Sequence, residues 1–154
     1  MKLSGKESDE EFASLIAKNQ LQNEINAESY AENHFEKYVI ICDRSLIEPA
    51  AYIGIEKLSN ILSKYEKDFE QTRDSYDLVI HLTTTAKGAS EFYTLKNNEA
   101  RNENKSKAIV LDDNILQIWN GHPNRIIVDN SENGFDEKLE KINNIIICFL
   151  KCKV

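Results

Sequence analysis

The spacing of apolar residues along the chain predicts where helices occur. Ser8 precedes Glu11 by three residues, which is typical of a helix start. Apolar residues then recur at helical spacing and predict one long amphipathic helix that ends near His34. We expect its apolar side to cover the core; it consists of Phe12, Leu15, Ile16, Leu21, Ile25 and Phe35. Helical spacing returns at Ile55 to Phe69, Ile109 to Trp119 and Phe135 to Phe149.

Three short, unbroken apolar runs predict strands that are buried on both faces. They are Val39 to Cys42, Asp77 to Leu82 and Arg125 to Asp129. Because helices separate them, we expect parallel pairing with right-handed crossovers. Ser45 to Gly54 contains a proline and ends in glycine, which indicates a loop or short helix. The element order predicts an α/β fold, specifically a three-layer α/β/α sandwich with a mainly parallel sheet.

Charged side chains follow the first predicted strand directly. Asp43 and Arg44 stand at its carboxyl end, which is where open α/β folds bind ligands. A carboxylate there can hold Mg²⁺ or accept a proton, and a guanidinium can neutralise phosphate oxygens. A simple salt bridge at the strand end is an equally good interpretation. Thr83 to Thr85 follow the second strand, where they can bind phosphate or, more often, cap a helix.

A polar run separates the second strand from the next helix. Residues 96–107 carry many charges and few apolar groups, so we interpret them as a lid or a solvated helix face. On the first helix, Gln20 and Glu24 share the polar side four residues apart and can face the same crevice.

The composition excludes several classes of protein. The 154 residues suit one domain, and 41% hydrophobic with 29% charged residues is ordinary for a globular chain. A net charge of -7 argues against nucleic acid as a partner. Three distant cysteines and three scattered histidines predict a reducing compartment and no zinc site. We find no transmembrane segment and no signal sequence, which predicts a cytoplasmic protein.

Three segments, in this order, resemble the NadR-like and TRPL-translocation-defect-like AAA domain family of P-loop, kinase-like NTPases. They are CDRSLIEPAAY at Cys42 to Tyr52, YDLVIHLTTTAKGASEFYTLKNNEARNE at Tyr76 to Glu103, and WNGHPNRIIVDN at Trp119 to Asn130. The resemblance covers most of the chain from about Phe12. It implies a single kinase-like domain over residues 1–154 that binds ATP or GTP with Mg²⁺, and it raises phosphoinositide binding at membranes as a further possibility.

The resemblance also implies roles for five residues. Asp43 would be the acid near Mg²⁺ or the acceptor hydroxyl, and Arg44 would contact substrate or phosphate. Arg101 and Glu103 match the AR-x-E of the family's lid, where an arginine closes over the nucleotide phosphates. Asn130 would lie near the nucleotide base. The chain departs from the family pattern at Ser45, where glycine is usual, and at Glu48, where aspartate is usual.

A larger departure concerns the phosphate loop. The 154 residues contain no G-x-x-x-x-G-K-[ST], and we interpret Leu3 to Lys6 as a chance likeness to its end. The resemblance then implies that the first strand and the phosphate loop are missing. The chain would be part of a longer protein or a degenerate relative, and in either case catalytically incompetent as it stands. The alternatives are a non-catalytic module that binds GTP, phosphoinositide or a partner protein, and a domain that assembles with another chain through its open sheet.

Overall fold

The structure is a computed structural model that describes residues 9–88, 105–131 and 134–153. The chain forms two compact units, the first ending at Ser75 and the second beginning at Tyr76. The length of the chain predicts a single domain.

The first unit begins with the long helix that the sequence predicted. Helix α1 spans Asp9–His34, and its first turn carries three acidic residues, which favour a helix N-terminus electrostatically. The prediction that the apolar side of α1 covers the core is wrong. Its buried residues are Ala13, Ala17 and Ala31, whereas Phe12, Leu15, Ile16 and Ile25 are 41% to 47% exposed. Small alanine side chains let the neighbouring helices pack close to α1, so the larger side chains stay outside.

Four short helical segments complete the first unit. They are α2 (Ala50–Ile53), α3 (Ile55–Leu62), a 3-10 turn (Ser63–Tyr65) and α4 (Phe69–Asp74). Gly54, between α2 and α3, has a φ of 88°, a conformation that favours glycine. The core contains Leu46, Ile47, Leu58, Ile61 and Leu62. The helix predicted over Ile55 to Phe69 is interrupted after the 3-10 turn, where Glu66 has a left-handed φ of 58°. The Asp68 side chain then accepts a hydrogen bond from the Gln71 backbone N–H at 3.0 Å and starts α4.

The first predicted strand is absent from the structure. Residues 38–42 belong to no helix or strand, and Val39 and Ile41 are 55% and 79% exposed. A β-branched sequence favours a strand only where a neighbouring strand can pair with it. No described strand pairs with this segment, so the prediction of a buried strand at Val39 to Cys42 is wrong.

The second unit contains the other two predicted strands, and both are confirmed. Strand β1 (Val79–Leu82) and strand β2 (Arg125–Val128) form a parallel pair, with Val79 opposite Arg125 and Leu82 opposite Val128. In the described part of the chain the sheet has these two strands. The parallel arrangement together with the helices is consistent with the predicted α/β class.

Helices α5 (Lys105–Ile118) and α6 (Phe135–Lys153) confirm the two predicted C-terminal helices. The predicted buried face of α6 is wrong in part, since Phe135 is 72% and Leu139 41% exposed while Lys138 is 8% exposed. The predicted lid over residues 96–107 lies outside the described residues except for its last three, which begin α5. Among the described residues, no helix has the length and apolar character needed to cross a membrane.

Candidate functional site

The first candidate cluster is the segment Cys42–Glu48, which we call the Asp43 loop. Asp43 is exposed. Arg44 has a φ of 78°, in the left-handed region that a residue with a Cβ rarely adopts. Such backbone strain persists only when surrounding contacts hold it, and it occurs often at functional positions.

Two contacts hold Arg44 in place. Its Nη1 donates to Oε2 of Glu48 at 2.9 Å, and its backbone carbonyl accepts from Nε2 of Gln20 at 3.3 Å. Gln20 also donates to Oε1 of Glu24 at 2.8 Å. The predicted approach of the polar side of α1 to this loop is therefore present for Gln20. The Arg44 side chain is exposed and already has a carboxylate partner, so a phosphate group would have to compete with Glu48 for the guanidinium.

Cys42 of the Asp43 loop is partly buried, and Ser45 of the same loop is buried. Burial, followed by the nearby carboxylates of Glu24 and Glu28, raises the pKa of the Cys42 thiol. Cys42 is therefore a poor nucleophile, because the reactive thiolate is disfavoured. Ser45 is 6% exposed, and its Oγ has no hydrogen-bond partner among the described residues. A buried hydroxyl without a partner is unusual in a folded protein.

The second candidate cluster is the turn Thr83–Gly88, which we call the Thr83 turn. It follows β1 directly, at the carboxyl ends of both parallel strands, where ligands bind in open α/β sheets. The Thr83 N–H continues the sheet by donating to the Val128 carbonyl at 3.0 Å, and the Lys87 N–H closes the turn on the Thr84 carbonyl at 3.0 Å.

Asn130 holds the Thr83 turn from the end of β2. Its side-chain Nδ2 lies 2.8 Å from the Thr84 carbonyl oxygen, 2.7 Å from that of Lys87 and 3.4 Å from that of Thr83. The Asn130 amide thus donates to the Lys87 carbonyl and adds a second donor to the Thr84 carbonyl, which already accepts from the Lys87 N–H. A nucleotide base would have to compete with these carbonyls for the same N–H groups.

Lys138 of α6 reaches the same turn. Its Nζ donates to Oδ1 of Asn130 at 2.8 Å and to the Thr83 carbonyl at 3.1 Å. Burial lowers the pKa of Lys138, although the charges of Asp129 and Asp112 act in the opposite direction. Burial of an ammonium group that is held by neutral oxygens is costly, because its charge has no hydrogen-bonded partner of opposite sign among the described residues.

Asp112 of α5 provides a third anchor for the Thr83 turn. Its Oδ1 accepts from the Thr84 N–H at 3.0 Å and lies 3.1 Å from Nε2 of His81, while its Oδ2 accepts from Nζ of Lys87 at 2.7 Å. Lys87 also contacts the exposed Asp113 at 2.6 Å. Side chains from α5, α6 and the end of β2 therefore fix one turn at the carboxyl edge of the sheet.

The five residues predicted from the sequence fall into three places. Asp43 and Arg44 belong to the first unit and Asn130 to the second, so the structure describes them in two separate clusters. Arg101 and Glu103 lie outside the described residues. Around Asp43, as elsewhere in the described residues, no group of three or more His, Cys, Asp or Glu side chains is arranged to hold a metal ion.

Sequence reasoning missed Asp112 and Lys138. Asp112 lies within a run of apolar residues on α5, and a carboxylate in such a run must find a buried partner. Lys138 is four residues before Ile142 and so shares the apolar side of α6. In both helices, the charged residue lies at helical spacing from apolar residues. This spacing is the sequence signal that predicts its burial.

The parallel strands with a polar cluster at their carboxyl ends define an α/β domain of the kind that binds small ligands at that edge. A family model described as AAA domain matches residues 3–138, and the chain belongs to this family. Membership indicates a nucleotide-binding domain related to the P-loop NTPases. No match was found among the curated proteins or among the solved structures.

Proposed function

We propose that this chain is a NadR-like, kinase-like nucleotide-binding domain that binds ATP or GTP weakly and transfers no phosphoryl group by itself. The observation that carries the proposal is the polar Thr83 turn at the carboxyl edge of a parallel sheet, in a chain that belongs to the AAA domain family. In a complete domain, the two observed strands would form part of a three-layer α/β/α sandwich.

The proposed roles of the predicted residues follow their chemistry. Asp43 is exposed and free to approach Mg²⁺ or an acceptor hydroxyl. Arg44 would neutralise phosphate oxygens after leaving Glu48, and Arg101 with Glu103 would act from the lid. Asn130 would act near the base, chiefly by holding the Thr83 turn through its three carbonyl contacts.

Weak binding and lack of catalysis follow from the missing phosphate loop. That loop supplies backbone N–H groups around the phosphates, a lysine on the β- and γ-phosphates and a ligand for Mg²⁺. The 154 residues contain no complete loop of this kind. The family match begins at residue 3 and so includes Gly5 and Lys6, but Glu7 stands where the loop needs a hydroxyl residue.

Isothermal titration calorimetry with ATP and with GTP, each with and without Mg²⁺, tests the proposal. We expect millimolar or weaker dissociation constants for both nucleotides and no release of phosphate. A micromolar dissociation constant with Mg²⁺ would contradict weak binding. Should that occur, Lys6→Ala would reveal whether the N-terminal Gly5-Lys6 pair contributes, because Lys6→Ala would then weaken binding.

The role of Asp43 needs a separate comparison. Asp43→Ala should reduce phosphoryl transfer only in a longer chain that carries a phosphate loop, whereas Asp136→Ala on the exposed start of α6 should not. Equal losses for the two variants would contradict the role of Asp43.

A non-catalytic module is the second candidate. It is favoured by the exposed apolar side of α1, which would suit contact with a partner protein. The net charge of -7 argues against anionic phosphoinositides as its ligand. Cosedimentation with phosphoinositide-containing liposomes checks the membrane form of this proposal, and we expect no binding.

A further inference from the structure

Strand β1 uses only one of its two edges within the described part of the chain. The N–H groups of Val79 and Thr83 donate to carbonyls on the β2 side at 3.0 Å each. In a parallel strand, the N–H and C=O of one residue point the same way and successive residues alternate. The backbone groups of Ile80 and Leu82 therefore face away from β2, where no other described strand pairs with them.

This second edge lacks the features that usually prevent strand addition. Residues 78–82 contain neither lysine, glutamate, aspartate nor proline, although natural edge strands commonly carry such residues. His81 is 7% exposed and contacts Asp112, so it does not shield the edge, and Leu82 is 49% exposed. The edge has the composition of an interior strand.

The same chain contains an unpaired segment with the properties of a strand. Residues 38–42 belong to no helix or strand, and no backbone hydrogen bond links them to another described residue. Their sequence, Tyr-Val-Ile-Ile-Cys, is rich in residues that favour strands. The exposed fractions of Val39 and Ile41, 55% and 79%, show that this apolar surface faces water.

We propose that residues 38–42 of one copy add to the free edge of β1 in a second copy, and that the second copy does the same to the first. An isologous dimer with two-fold symmetry allows both pairings at once, because each copy supplies one strand and one edge. Addition of a strand to an open sheet edge is a common mode of recognition.

Charges flanking the two segments favour a parallel pairing. With Tyr38 opposite Leu78, Lys37 lies beside Asp77, and opposite charges on neighbouring strands stabilise pairing. An antiparallel pairing over the same residues would instead place Asp43 beside Asp77, and two carboxylates would repel each other. These charges therefore favour the parallel direction with Tyr38 opposite Leu78.

Sedimentation velocity over a series of protein concentrations tests the dimer, with hydrogen exchange to locate it. We expect a concentration-dependent species of twice the chain mass, in which the amides of residues 38–42 and of Ile80 and Leu82 become protected. A monomer at every concentration would overturn the proposal, whether those amides stay open or are protected within one chain.

Proline variants test whether the proposed strand forms the contact. Ile40→Pro and Ile41→Pro each remove one N–H, and since successive residues alternate, one of the two faces β1 in any register. We expect that variant to raise the dimer dissociation constant about tenfold or more. Glu36→Pro, just outside the segment, is the matched control and should leave dimerisation unchanged. A dimer that none of these variants weakens would overturn the proposal.

A charge exchange tests the register without disturbing the backbone. Lys37→Glu alone and Asp77→Lys alone should each weaken the dimer, and the double variant should restore it. The exchange separates a direct contact from general misfolding, because misfolded single variants would not be rescued by combination. Failure of rescue would overturn the parallel register.

Discussion

Nζ of Lys138 donates a hydrogen bond to Oδ1 of Asn130 at 2.8 Å, and this contact sets which way the Asn130 amide points. Because the oxygen faces Lys138, the NH₂ group faces the carbonyls of the Thr83 turn. The two residues come from different elements, the end of β2 and the second turn of α6. Together, Asn130 and Lys138 attach the Thr83 turn to β2 and to α6.

The first prediction concerns the contribution of Asn130 to stability. Asn130→Ala should lower the free energy of unfolding by about 2 to 3 kcal/mol, because partly buried carbonyls of the Thr83 turn and the Lys138 ammonium would lose a partner. Urea denaturation measures the change. Asn143→Ala on the exposed side of α6 is the control and should stay within about 0.5 kcal/mol. Equal effects of the two variants would show that Asn130 does not hold the turn.

The second prediction concerns the pH dependence caused by Lys138. Its pKa is lowered from 10.5 by burial, so between the folded-state pKa and 10.5 the unfolded chain binds more protons than the folded one. The free energy of unfolding contributed by this group must therefore rise with pH in that window. Lys138→Met removes the titrating group, and the rise should disappear.

Urea denaturation of both proteins at several alkaline pH values measures this difference. Lys141→Met, on the same helix, is the matched control and should retain the rise that wild type shows. If Lys138→Met and wild type keep a constant difference in stability across the alkaline range, the burial of the ammonium group has no effect on its titration.

Helices and the two paired strands could be predicted because their signals are local. The helical spacing of α6 is visible in the sequence by itself, and the apolar runs at β1 and β2 form strands because they pair with each other. The segment at residues 38–42 has an equally strong strand sequence, but a strand needs a pairing neighbour and the sequence does not say whether one exists. The predicted burial of the apolar sides of α1 and α6 is wrong for a related reason. Periodicity identifies which side of a helix is apolar, but it does not identify what covers that side.

The candidate site could be predicted only in part. Asn130 was placed at a strand end correctly, yet its engagement with three backbone carbonyls depends on the turn conformation, which the sequence does not specify. Lys138 and Asp112 are buried charges whose partners are far away in sequence. For Asp112 and Lys87, 25 residues separate the two partners of one contact.

The third prediction compares two neighbouring carboxylates. Asp112 is 6% exposed in its side chain and contacts three groups, whereas Asp113 is 58% exposed and contacts Lys87. Asp112→Ala should destabilise the protein by about 3 kcal/mol, because the buried His81 imidazole and the Thr84 N–H lose this partner and the Lys87 ammonium keeps only Asp113 of its two carboxylates. Asp113→Ala should cost about 0.5 kcal/mol or less. Thermal or urea denaturation measures both, and comparable losses would contradict the anchoring role of Asp112.

The last prediction concerns the buried hydroxyl of Ser45. Its Oγ is enclosed without a hydrogen-bond partner among the described residues, and such a group loses its hydration without compensation. Ser45→Ala removes only the oxygen atom, so it should raise the free energy of unfolding by about 1 kcal/mol. Ser59→Ala is the matched control: the Ser59 hydroxyl donates to the Ile55 carbonyl at 2.9 Å, and its loss should be neutral or slightly destabilising. If Ser45→Ala instead destabilises the protein, the hydroxyl has a partner in solution, and the Asp43 loop holds an ordered water or a ligand at that position.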